Sequence, residues 1–108
     1  MPDIALKRND RLPVLRATLK NPDGSAVNLA GTSQRFLMRL PGATAAKVTG
    51  VPTVVDASNG IVQYAWAAAD TDTAGTFQAE IEVTFAGGLI QTYPNNGYLS
   101  VAIIDDLG

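Results

Sequence analysis

The stretch 75-GTFQAEIEVTF-85 decides the fold class of this chain of 108 residues. Apolar side chains occupy every second position of the stretch, namely Phe77, Ala79, Ile81, Val83 and Phe85. Successive side chains of a strand point to opposite faces of a sheet, so this alternation predicts a strand with one apolar and one solvated face. We therefore expect residues 75–85 to form a long strand that packs Phe77 into a hydrophobic core.

The sequence on both sides of this strand consists of short alternating runs separated by turn residues, a pattern typical of sandwiches and barrels. The predicted strands occupy residues 12–20, 33–40, 47–49, 51–56, 61–66, 89–93 and 98–104. Turn signals lie between them at residues 21–24, 41–42, 59–60, 86–88 and 94–97. The alanine run at residues 67–69 is too short for an isolated helix. The sequence thus predicts an all-β, antiparallel sandwich of about seven to eight strands, with a closed barrel as the alternative.

The length of the chain corresponds to a single domain, residues 1–108, that can bury a core without disulfides. The net charge is −2 and the pI is about 4.8, whereas nucleic-acid-binding domains usually carry a basic stripe and a high pI. No run approaches the ~20 apolar residues of a membrane span. The first ten residues lack the apolar segment of a signal peptide. We therefore expect neither a nucleic-acid partner nor a membrane partner.

The chain contains neither histidine nor cysteine. This composition excludes Ser-His-Asp and Cys-His catalysis and the usual zinc sites. Asp70 and Asp72 could bind calcium, but a turn in which they accept bonds from local amides is the simpler interpretation. Glu80 and Glu82 share one strand face like a glycosidase pair, but solvated carboxylates are typical of such a face. We therefore predict no enzyme, no metal and no cofactor.

Two sets of side chains are candidates for binding. Lys7, Arg8 and Arg11 form a basic cluster that could dock an acidic partner surface. Residues 1–11 would then be an extended docking arm, and deletion of residues 1–10 should weaken docking but spare folding. Tyr93 and Tyr98 flank the turn at residues 94–97 and are expected as surface aromatics on which a sugar ring could stack.

Three segments of the chain carry a family resemblance. They are LKRNDRLPVLRATLKNPDGSAVNLAG (residues 6–31), NGIVQYAWAAADTDTAGTFQAEIEV (residues 59–83) and GGLIQTYPNNGYLSVAI (residues 87–103). Their most specific parts are turn and core features: NPDG followed by VNL, GIVQYAW, DTAGTFQAE and YPNNGY. Together they resemble the immunoglobulin-like β-sandwich of tailed-bacteriophage virion proteins. They are most similar to the N-terminal domains of baseplate upper proteins and related minor tail proteins.

The resemblance implies a structural protein of a phage tail, baseplate or neck, made in the host cytoplasm and located in the virion. It also implies a protein–protein assembly module that contacts other virion proteins and forms a homo-oligomer with copies of itself. The family offers no catalytic residues. The alternative is a carbohydrate-binding sandwich used in host attachment, which would place exposed aromatics near Tyr93 and Tyr98.

Overall fold

The computed structural model describes residues 2–107, and in this range the chain forms nine β-strands and no helix. The strands are β1 (Ile4–Lys7), β2 (Leu15–Thr18), β3 (Ser33–Arg39), β4 (Val48–Gly50), β5 (Thr53–Asp56), β6 (Ile61–Tyr64), β7 (Gly75–Thr84), β8 (Ile90–Tyr93) and β9 (Leu99–Ile104). No helix long and apolar enough to cross a membrane lies in these residues. The all-β prediction is confirmed.

The strands form two sheets that pack face to face. The larger sheet has the order β1-β9-β7-β3-β4, with β8 also paired to β7, and the smaller sheet has the order β2-β6-β5. In immunoglobulin folds, strands B, E and D lie in one sheet and strands C, F and G in the other. Here β2, β6 and β5 take the places of B, E and D, while β3, β7 and β9 take those of C, F and G. The fold is therefore an immunoglobulin-like sandwich and not a closed barrel.

Strand β7 is the central strand of the larger sheet. Strand β3 pairs with residues 78–84 along one side of β7. The other side is shared by β9, which pairs with residues 75–79, and by β8, which pairs with residues 81–84. The alternate apolar side chains of β7 from Phe77 to Val83 are at most 1% exposed. The predicted division into an apolar and a solvated face is thus confirmed.

Three aromatic side chains lie at the centre of the core. The rings of Phe36 and Tyr64 stack with centroids 4.3 Å apart, and Trp66 meets both rings edge-on at 5.8 and 5.4 Å. The buried indole N–H of Trp66 donates to the carbonyl of Pro13 at 3.0 Å. This hydrogen bond offsets the cost of taking the indole N–H out of water, and it links the segment before β2 to the core.

The turns lie where the sequence predicts them, but several strands are shorter than predicted: β2 covers Leu15–Thr18 of the predicted 12–20, and β6 covers Ile61–Tyr64 of the predicted 61–66. The amide of Gly24 donates to the carbonyl of Asn21 at 2.9 Å and closes the turn at residues 21–24. Strand β3 ends at Arg39, one residue before the predicted end at residue 40, and Leu40 is 44% exposed. The reason is that the carbonyl of Leu40 already accepts the turn bond from the amide of Ala43 at 3.0 Å.

The structure contains a strand that the sequence pattern did not predict. Residues Ile4–Lys7 pair in parallel with β9, and Leu6 is only 3% exposed. The segment expected as an extended arm is therefore fixed to the sheet over these residues. Deletion of residues 1–10 would remove a core side chain and uncover the edge of β9, so the deletion would change folding as well as docking.

Candidate interaction site

The basic residues near the N-terminus lie beside the acidic residues near the C-terminus. Because β1 and β9 run parallel, the residues that follow these two strands emerge at the same end of the sheet. The Arg8 guanidinium lies 3.4 Å from the carboxylate of Asp105 and 3.3 Å from that of Asp106. Such partly exposed pairs contribute about 0–1 kcal/mol. Arg8 therefore helps to hold the two chain ends together.

The other two basic residues differ in what they contact. The Nε of Arg11 donates to the carbonyl of Trp66 at 2.8 Å, so its side chain lies against the end of β6. Lys7 is exposed and forms no ion pair with any residue in the range 2–107. Of the three residues in the predicted docking cluster, Arg8 and Arg11 thus contact other parts of the domain, and Lys7 faces solvent.

A buried threonine fixes the segment that carries this cluster. Thr71 is 1% exposed, and its hydroxyl donates to the carbonyl of Asp10 at 2.7 Å. Its own carbonyl accepts a bond from the amide of Asn9 at 2.8 Å. Sequence reasoning missed Thr71, because a threonine within a polar loop gives no sign of burial. Its two bonds join the segment between β1 and β2 to the loop after β6.

The two aspartates of that loop are occupied by neighbouring groups of the protein. One oxygen of Asp70 accepts bonds from the hydroxyl of Tyr64 at 2.6 Å and from the amide of Ala67 at 2.8 Å. The carboxylate of Asp72 accepts a bond from Lys47 at 2.7 Å, which lowers the pKa of Asp72. Among residues 2–107 no three acidic side chains cluster as metal ligands would. The local-turn interpretation therefore holds for Asp70, which accepts a bond from a nearby amide, whereas Asp72 is bonded to the side chain of the distant Lys47.

Tyr64→Phe is expected to lower the free energy of unfolding by about 1 kcal/mol near neutral pH, the usual contribution of one such hydrogen bond. Burial, and then the bond to Asp70, raise the pKa of Tyr64 above its ordinary value. The protonated form is favoured by the fold, so this stabilisation is complete below about pH 10 and is lost as the pH rises further. The variant should therefore lose less stability than the wild type as the pH rises above about 10, the ordinary pKa of tyrosine.

Urea unfolding at several pH values measures this effect, and Tyr98→Phe is the matched control because its hydroxyl is on the surface. Burial also raises the pKa of Tyr93, so Tyr64→Phe should keep part of the alkaline loss. Equal alkaline losses in Tyr64→Phe and the wild type would contradict the assigned role of the Tyr64–Asp70 bond.

Tyr93 and Tyr98 do not form the expected pair of surface aromatics. Tyr93 is 2% exposed, because it lies opposite Ile81 in the register of β7 and β8 and shares its inward face. The structure thus corrects the expectation for Tyr93. Tyr98 follows the turn, lies outside β9 and is 49% exposed.

Tyr98 lines a shallow groove on the outer face of the larger sheet. The groove has a volume of about 180 Å³. Its polar lining residues, Arg39, Gln78 and Glu80, form no side-chain hydrogen bond or ion pair with other residues in the range 2–107. Glu82, on the same face, is instead paired with Arg35 at 3.1 Å. The two glutamates predicted to share a face therefore differ, since only Glu80 has free oxygens beside a groove.

A comparison with known families gives a match that agrees with this architecture. The family model of the BppU N-terminal domain matches residues 2–93. No curated protein matches the chain. The family comprises N-terminal domains of baseplate upper proteins, which are structural components of the phage virion. The resemblance described from the sequence is confirmed, and the chain belongs to the BppU N-terminal domain family, a family of phage baseplate structural domains.

Proposed function

We propose that this domain is a protein–protein assembly module of the phage baseplate that binds neighbouring virion proteins and copies of itself. The observation that carries the proposal is the family match over residues 2–93. The absence of histidine and cysteine from the sequence supports a binding role over a catalytic one. Stable contacts of this kind bury roughly 1,200–2,000 Å². Repetition in a symmetric particle lets weaker single contacts add up.

Quantitative mass spectrometry of density-purified phage particles tests this proposal. The expected result is a fixed ratio of peptides from this chain to peptides of the major capsid protein, in agreement with the symmetry of the baseplate. Presence in the lysate without presence in clean particles would contradict an assembly role.

Lys7→Glu is expected to reduce incorporation of the domain into particles roughly tenfold, because a reversed charge at a docking surface repels an acidic partner. The thermal unfolding temperature should not change, since Lys7 is exposed and unpaired within residues 2–107. Co-expression of variant and wild-type chains, followed by peptide counting in purified particles, measures the ratio. Arg39→Glu is the matched control, because it makes the same charge change on the outer face of the larger sheet. Equal incorporation of Lys7→Glu and wild type would contradict the assignment of Lys7 to the docking surface.

The groove at Tyr98 favours a second candidate function, carbohydrate binding. An aromatic ring can stack on the apolar face of a sugar, and free carboxylate, amide and guanidinium groups can bond its hydroxyls. Tyr98, Glu80, Gln78 and Arg39 present this combination at one groove. A glycan array tests it, with Tyr98→Ala as the groove variant and Leu89→Ala as an exposed control outside the groove. An array without signals that depend on Tyr98 would rule out this function.

A further inference from the structure

Strand β2 is an edge strand with a free backbone side. It pairs with β6 alone, with Leu15 opposite Tyr64 and Ala17 opposite Val62. The amide of Leu19 donates to the carbonyl of Gly60 at 2.7 Å, so Leu19 belongs to the residues whose backbone groups point toward β6. Backbone groups alternate in direction along an antiparallel strand. The N–H and C=O groups of Arg16, Thr18 and Lys20 therefore point away from β6, toward the open side.

Two cavities lie along this open side. The first has a volume of about 220 Å³ and lies beside Val14, Leu15 and Arg16, with Asp3, Ile4 and Leu99 opposite. The carboxylate of Asp3 already accepts a bond from the amide of Ser100 at 2.7 Å. The second has a volume of about 200 Å³ and lies beside residues 17–20, with Tyr93, Pro94 and Leu99 opposite. We call this region, formed by the free edge of residues 14–20 and the two cavities, the β2 cleft.

The β2 cleft contains an unsatisfied buried group. Tyr93 lines the second cavity, and its hydroxyl is buried without a hydrogen-bond partner in the described part of the chain. Nearly all buried polar groups in native proteins have a partner, and an orphan is costly. An occupant of the cleft with a backbone or side-chain oxygen near Tyr93 would supply the missing partner.

The immunoglobulin arrangement explains why this place is open. In that fold a strand A lies beside strand B, in the sheet that also holds E and D. Here the first strand, β1, pairs with β9 in the opposite sheet. The position next to β2 is therefore unfilled among residues 2–107, and the smaller sheet has three strands opposite six.

We propose that the β2 cleft receives an extended segment of another virion protein, which adds to β2 as a fourth strand of the smaller sheet. The proposal rests on the assembly role proposed above and names its mode of contact. Backbone hydrogen bonds to the edge would supply affinity, and side chains that enter pockets at alternate positions would supply specificity. The inward side chains of the segment must be apolar to fill the two cavities.

Charge determines which segment fits. Arg16 in β2 and Lys20, two residues beyond its end, are exposed and form no ion pair within residues 2–107. Two copies of β2 that paired antiparallel about Thr18 would set Arg16 of one copy opposite Lys20 of the other, and like charges opposite each other are destabilising. A foreign strand with acidic residues at its outward positions would instead complement both. The occupant is thus an extended segment in which apolar and acidic residues alternate.

A pair of synthetic peptides tests the proposal on the full chain. The first alternates valine with aspartate over a length that matches residues 14–20, and the second replaces each aspartate by lysine. NMR titration of the ¹⁵N-labelled protein should place the largest shifts, and new protection from hydrogen exchange, at the amides of Arg16, Thr18 and Lys20. We expect the aspartate peptide to bind at least about tenfold more tightly than the lysine peptide.

Two variants sharpen the test. Thr18→Pro removes one outward N–H but no bond to β6, and it should lower the affinity for the acidic peptide about tenfold. Arg16→Glu combined with Lys20→Glu should reverse the preference between the peptides, whereas Arg39→Glu on the other sheet should not. Shifts spread over the surface, or equal affinity for both peptides and all variants, would overturn the proposal. If the chain is incorporated into particles at a fixed ratio while the cleft variants incorporate normally, the cleft proposal fails and the assembly role stands.

Discussion

Phe77→Ala is expected to lower the free energy of unfolding by about 3–5 kcal/mol, the usual cost of truncating a buried phenylalanine. Phe77 is 1% exposed and lies in the part of β7 that pairs with β9. Truncation would leave a cavity between the sheets, because the surrounding strands cannot collapse onto it without breaking register. Domains of this size have only about 5–15 kcal/mol of stability. The variant should therefore be largely insoluble or molten.

Thermal and urea unfolding, together with near-ultraviolet circular dichroism, measure the loss. Thr76→Ala is the control, because Thr76 is the exposed neighbour of Phe77 on the same strand. It should change the free energy of unfolding by no more than about 0.5 kcal/mol. A Phe77→Ala variant that unfolds like Thr76→Ala would contradict the assignment of Phe77 to the core.

The strands that could be predicted from the sequence are those whose pattern and burial agree. In β7 the buried positions from Phe77 to Val83 are apolar and the positions between them are polar, so periodicity alone locates the strand and its face. In β3 the buried Phe36 and Met38 give the same signal over a shorter length. The turn after β7 also contains residues that favour a turn, Gly87 and Gly88, and the amide of Gly88 donates to the carbonyl of Phe85 at 3.0 Å. In these elements the local sequence preference and the tertiary packing favour the same structure.

The features that escaped prediction depend on contacts between distant residues. Strand β1 is four residues long and has one fully buried side chain, Leu6, so its pattern is too short to stand out. Its strand character comes from parallel pairing with β9, almost a whole chain length away. The ion pairs of Arg8 with Asp105 and Asp106 follow from that pairing and could not be predicted without it.

The candidate sites show the same limit. Tyr93 stands next to a turn and was expected at the surface, but its register opposite Ile81 places it inside. The open side of β2 has no sequence signal at all, because a paired and an unpaired strand edge have the same alternation. Only the placement of β1 in the opposite sheet exposes that edge.

Gly60→Ala is expected to lower the free energy of unfolding by about 2–5 kcal/mol, from two separate costs. Gly60 has a φ of +68°, and a non-glycine residue in this left-handed region costs about 1–2 kcal/mol. A Cβ atom at this position would also lie 2.6 Å from the carbonyl oxygen of Leu19 and 2.9 Å from that of Val27. These are backbone atoms that cannot rotate away, so strands must shift, at a cost of about 1–3 kcal/mol.

Gly24→Ala separates the two costs. Gly24 also has a positive φ, +89°, but a Cβ atom there would meet nothing within 4 Å. Gly24→Ala should therefore lower the free energy of unfolding only by the cost of the backbone conformation, about 1–2 kcal/mol. Urea unfolding of both variants measures the two losses, and their difference is the cost of crowding at Gly60. The bond from the Leu19 amide to the Gly60 carbonyl joins the end of β2 to the start of β6. A Gly60→Ala variant no less stable than Gly24→Ala would mean that this junction is loose enough to move, and a loose end of β2 would not be a rigid edge for a fourth strand.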